Sequence, residues 1–114
     1  MTTLEKLKEF GADTEEGLAR CMNNEEFYLK MVDMGIRDER FEALKEALEK
    51  NDLEGAFDMT HALKGALGNL ALTPLYRHVS EMTELLRAKE DADYMTLYQE
   101  MIDYRTRLLE MADS

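Results

Sequence analysis

Proline occurs once, glycine six times and tryptophan not at all in 114 residues, so little interrupts helices along this chain. Cysteine also occurs once, at Cys21. A lone thiol makes no internal disulfide, which points to a reducing compartment. Among apolar helical positions it reads as a small buried hydrophobe rather than a reactive group. Positive charge is scarce, with 14 Lys and Arg against 25 Asp and Glu and a formal net charge of −11. Such a surface repels nucleic acid and anionic lipid, so neither is an expected partner. No apolar run approaches the ~18 residues of a membrane span, and no signal peptide opens the chain, so a cytoplasmic protein is expected. Nothing alternates with period two over a useful length, and no strand is expected.

What is present is a series of helices with legible ends. A first helix near Thr2–Phe10 stops at Gly11. Asp13 with Glu16 reads as a capping box for a second, running to about Cys21. Asn23 with Glu26 repeats that signal, and Phe27, Met31 and Met34 keep helical spacing up to Gly35. A fourth segment from Arg37 to about Lys50 carries Phe41, Leu44 and Leu48 on one face. Asn51-Asp52 caps the next, to about Leu70. Thr73-Pro74 reads as an N-cap followed by proline at the first helical position. Leu75, Val79, Met82 and Leu86 form the stripe after it. Asp91 begins the last helix, carried by Tyr94, Leu97, Met101, Tyr104 and Leu108. Short connections make the last four segments antiparallel. The expected fold is all-α: an up-and-down four-helix bundle with short helices at its N-terminal end, one domain over residues 1–114. The capped first helix and polar ends fit a free-standing protein, and the charge favours a monomer. The nine methionines are expected in the core, and the tyrosines at its edge with hydroxyls in water.

The helix over Asp52–Leu70 is unlike the others. On a helical wheel Leu53, Ala56, Thr60, Leu63, Leu67 and Leu70 form one stripe, which must face the core. His61 lies well off it and should be exposed. Gly65 and Gly68 share its side, four and seven residues on. Each interior glycine costs about 0.8–1.0 kcal/mol relative to alanine. Two beside an exposed histidine suggest a surface lowered for another protein's close approach. The other explanation, that they admit a neighbouring helix, fits less well because they avoid the leucine side. Gly55, pointing elsewhere, has no such explanation.

A neutral imidazole is a competent nucleophile near neutral pH and can hold a phosphoryl group on nitrogen. On an acidic chain the added charge needs compensation, and Lys64, three residues on, is placed to supply it. Glu54 and Asp58 lie on the same side and read as solvated carboxylates. His78, between Leu75 and Val79, reads as an ordinary surface histidine.

The run Thr60-His61-Ala62-Leu63-Lys64-Gly65-Ala66-Leu67-Gly68-Asn69-Leu70 resembles the signature of histidine-containing phosphotransfer (HPt) domains. Glu26-Phe27-Tyr28-Leu29 is similar to that family's early aromatic helix, and Leu75 through Leu86 to the helix after its histidine. Ala71 stands where glycine is common in the family, which bears on the turn rather than the chemistry. The resemblance implies a phosphocarrier of two-component phosphorelays, accepting a phosphoryl group from a receiver-domain aspartate and passing it to another receiver. His61 would be the phosphoacceptor, Lys64 the phosphate-stabilising cation, and Gly65 and Gly68 the docking clearance, with Asn69 structural. Response-regulator receivers and a hybrid histidine kinase are the implied partners. The implied Mg²⁺ belongs to the receiver, and the domain needs no cofactor and no ATP site of its own. Consistent with this, the chain has no glycine-rich phosphate loop followed by Lys-Ser/Thr.

Two other readings compete. One is an adaptor with the same fold that binds a receiver without accepting phosphate. The other is a metal site, since Asp58-x-x-His61 has the spacing of di-iron bundles. That site would need a second such pair pointing inward. His78 has only Glu81 nearby, in reversed order, and zinc finds too few closely spaced ligands.

Overall fold

Short polar side chains open most of the helices. A computed structural model describes residues 1–114, in which α1 (Leu4–Phe10), α2 (Thr14–Arg20), α3 (Glu25–Ile36), α4 (Arg40–Glu49), α5 (Leu53–Asn69), α6 (Thr73–Arg87) and α7 (Tyr94–Asp113) follow one another without a strand. Thr3, Asp13, Asn24, Asp52 and Asp93 each accept a bond from the backbone N–H three residues on, satisfying a donor that the helix leaves free. The caps of α3 and α7 are therefore Asn24 and Asp93, where Asn23 and Asp91 were expected. Asn23 instead takes a left-handed turn (φ 56°). Asp38 accepts from Arg40 N at 2.8 Å, so α4 starts three residues later than Arg37. Leu72, rather than Thr73, is the N-cap of α6, because the Thr73 hydroxyl donates backwards to Ala71 O at 3.3 Å.

The ends of the helices that precede the bundle's three connections close in the same way. After α4, α5 and α6, the residues Asn51, Ala71 and Lys89 adopt φ of 55–56°. Asp52, Leu72 and Glu90 then donate to the carbonyls of Ala47, Leu67 and Leu85, five residues back. These are Schellman turns, which reverse the chain within three to six residues and set α4 to α7 antiparallel. Asparagine tolerates that conformation, whereas a lysine pays about 1 kcal/mol in sterics. Lys89→Gly is therefore expected to stabilise the protein by no more than about 0.5 kcal/mol in urea denaturation, after glycine's greater unfolded-state entropy is subtracted. Ala71→Gly should gain less, because it gives up a buried methyl.

The helices α4 to α7 form the bundle, each packed on the next, with α7 also against α4. A continuous core runs from Leu7 to Leu108. In α5 the buried stripe is Ala56, Thr60, Leu63 and Leu67, and in α6 it is Leu75, Val79, Met82 and Leu86, as the wheel requires. Leu53 departs from the expected stripe and is exposed, being the first residue of α5 at the end of the bundle. In α3 the buried face is Tyr28, Val32 and Ile36, one step round from the expected Phe27 and Met34, which are exposed. Methionine divides likewise: Met82 and Met101 are fully buried, while Met22 and Met34 face solvent.

The tyrosine hydroxyls correct a further expectation. Tyr28 donates to Leu70 O and Tyr98 to Phe41 O, both at 2.8 Å, and Tyr94 donates to Glu90 O. Phenols this deep reach backbone carbonyls, not water. Burial, with Cys21 and Asp13 nearby, pushes the Tyr28 phenol up to about 12, so it remains a donor. Cys21 is buried as expected.

Asp93 contributes a pH dependence. The Thr96 hydroxyl and backbone N–H hold its carboxyl below the usual carboxylate range. A folded-state value below the unfolded one gives stability that is present above the ordinary range and lost as pH falls through the depressed value. Wild type should thus exceed Asp93→Ala in urea midpoint at neutral pH, with the gap closing on acidification.

Candidate functional site

The outer face of α5 carries the site because its inner face is committed to the core. His61 is exposed, and with Lys64, Gly65, Gly68 and Asn69 it lines a groove of about 490 Å³. The same groove takes Thr73 and Tyr76 from α6, and Glu16 and Arg20 from α2. All four residues singled out on the wheel therefore share one surface.

The two glycines differ. A Cβ built on Gly65 would meet nothing within 4 Å, so this surface is open. A Cβ on Gly68 would lie 3.1 Å from Cε2 of Tyr76. The space at Gly68 is thus occupied by the α6 ring, and this glycine serves helix packing, the explanation that the wheel had disfavoured. Gly55 lies against the Asp52 carboxylate that caps its own helix, which is a local role.

His61 rests on Phe57, one turn earlier: the ring centroids are 5.5 Å apart and the planes 7° from parallel. The guanidinium carbon of Arg87 lies 5.0 Å from the centroid of that phenyl ring. Lys64 is only 27 % exposed, its ammonium 3.4 Å from Glu84 Oε2, while Glu84 Oε1 is 3.3 Å from Arg87 Nε. Glu54 and Asp58 are exposed on the same side of the helix.

Arg20 is the cation that sequence reasoning missed. Its Nη1 donates to Asn69 Oδ1 at 3.0 Å and its Nη2 pairs with Glu16 at 2.7 Å. Asn69 thus fastens α5 to α2. The N-terminal segment reaches this position through two further contacts. Asp13 N donates to Ala71 O at 3.0 Å, and Gly17 lets α2 press on Tyr28, where an added Cβ would come within 2.5 Å of the ring. No local spacing signals a contact between residues 49 apart in sequence.

His78 is not an ordinary surface residue. It is part-buried in the seam between α6 and α7, 4.8 Å from the Tyr104 ring, with Nδ1 3.9 Å from Glu100. No three His, Cys, Asp or Glu side chains converge to hold a metal ion, so the di-iron arrangement has no ligand set in this fold. No helix is long and apolar enough to cross a membrane.

The fold and the groove together make an antiparallel helical bundle that displays one histidine beside a lysine and an open glycine. The family model of the Hpt domain matches residues 38–113, spanning α4 to α7, and the chain belongs to that family. No curated protein and no solved structure matches it. Hpt domains carry phosphoryl groups on histidine in phosphorelays, interact with receiver domains and histidine kinases, and are not autonomous kinases.

Proposed function

We propose that this chain is a phosphorelay intermediate in which His61 takes a phosphoryl group from a receiver-domain aspartate and passes it to another receiver. The observation that carries this reading is the exposed imidazole on an open groove, with Lys64 one turn on and no side chain above Gly65. In the forward step the lone pair of one imidazole nitrogen attacks phosphorus. An N–P bond forms as the P–O bond to the aspartate breaks, and the electron pair leaves on the carboxylate. The other ring nitrogen keeps its hydrogen. The Phe57 stack limits how the ring can rotate, which favours an in-line approach. Lys64 compensates the charge delivered to the surface. The Mg²⁺ of the reaction belongs to the receiver, and the chain acts without a cofactor of its own, as a monomer in the cytoplasm.

Incubation with a phosphorylated receiver should give this protein a phosphoryl label that is acid-labile and base-stable, as a phosphoramidate bond is. An acid-stable label, or none, would overturn the assignment.

A further inference from the structure

Five side chains on α5 and α6 are linked in series: His61 on Phe57, Phe57 against Arg87, Arg87 to Glu84, and Glu84 to Lys64, which lies one turn from His61 along α5. Within this series Glu84 uses separate oxygens for its two cations, Oε2 toward Lys64 at 3.4 Å and Oε1 toward Arg87 at 3.3 Å. We propose that Glu84 is a positioning residue for Lys64, holding the ammonium at the groove before transfer and yielding it to the phosphoryl group afterwards. This rests on the reading of His61 as phosphoacceptor.

Three observations carry the exchange. At 3.4 Å the Lys64–Glu84 contact is longer than a strong charge-assisted bond of about 2.7–2.9 Å, so little is lost when it opens. The lysine side chain is nevertheless mostly covered, which keeps the ammonium at the seam of α5 and α6 instead of sweeping freely through solvent. When Lys64 turns to phosphate oxygens, Glu84 is not left alone, because Arg87 still holds its other oxygen. A phosphoryl group carries more charge and more acceptor oxygens than one carboxylate and competes well for a single cation. Phosphorylation then moves one cation and strands none.

The test is the equilibrium ratio of phosphohistidine to receiver acyl phosphate, measured on the full chain. Glu84→Gln removes the competitor and should shift the ratio toward phosphohistidine by about 2- to 5-fold, the worth of a partly exposed ion pair. Arg87→Met leaves Glu84 only Lys64 to pair with, and should shift the ratio the other way. In a Lys64→Met background the effect of Glu84→Gln should vanish, since the carboxylate then has no lysine to withhold. Asp58→Asn removes a carboxylate from the His61 side of α5 without touching Lys64, and should give a smaller shift. A Glu84→Gln effect that persists without the lysine, or is matched by Asp58→Asn, would overturn the exchange in favour of general charge repulsion. Labelling of His61 by phosphoramidate, a small donor, is measured alongside. Absence of that label and of receiver transfer counts against the phosphoacceptor reading itself; a normal label without coupling counts against Glu84 alone.

Discussion

His61→Gln is expected to reduce the acid-labile phosphoryl label to background while leaving the helical circular dichroism and the urea midpoint unchanged. The two outcomes follow from separate features of one residue. Its ring stacks on Phe57, and it sits mid-helix on an exposed face, outside the buried core. Glutamine has a somewhat better helix propensity than histidine, by a few tenths of a kcal/mol, so the loss of one exposed stack is roughly offset. No other nucleophile is placed to substitute. His78 is packed on Tyr104 in the seam of α6 and α7, and Cys21 is buried. Loss of label with retained fold is therefore specific to the chemistry. A label that survived the substitution would mean that the phosphoryl group had gone elsewhere.

His61 was legible in the sequence because its exposure depends on local geometry. A helix advances about 100° per residue, and the leucine stripe of α5 fixes which side faces outward. The buried stripes of α5 and α6 were legible for the same reason. What the pattern could not supply was anything set by a second element. Gly68 shares a side with His61 on the wheel, yet that side borders α6, and the Tyr76 ring fills the space. Arg20, Glu84 and Arg87 are ordinary charged residues in their own helices and acquire meaning only from partners on α5. The face of α3 was misplaced because Phe27, Met31 and Met34 (steps of four and three) and the true stripe of Tyr28, Val32 and Ile36 (steps of four) are both compatible with one face of a helix. The choice between them was made by the Tyr28 hydroxyl, which finds Leu70 O, and by Gly17, which makes room for the ring. Phe57 alone could have been found from sequence, since residues four apart on a helix are neighbours.

Gly65→Leu should move stability and transfer in opposite directions. An interior helical glycine is about 0.8–1.0 kcal/mol less favourable than alanine, and leucine ranks close to alanine. Because nothing lies within 4 Å of a Cβ at this position, the substitution starts into open space in the free protein, and the urea midpoint should rise. Receiver transfer should fall by about 100-fold or more, because a side chain standing above the groove prevents the phosphoryl donor from reaching the imidazole in line, and a misplacement of ~1 Å is enough for a loss of that size. Gly68→Leu supplies the contrast. Its Cβ would press on Tyr76 at 3.1 Å, so its midpoint should drop, and any loss of transfer would be accompanied by weaker packing of α6. If Gly65→Leu lowered both quantities together, the glycine would be a packing device like Gly68. A stabilised protein that no longer accepts the phosphoryl group has one explanation: the helix bears an unfavourable residue at Gly65 because a partner's surface must come down on it.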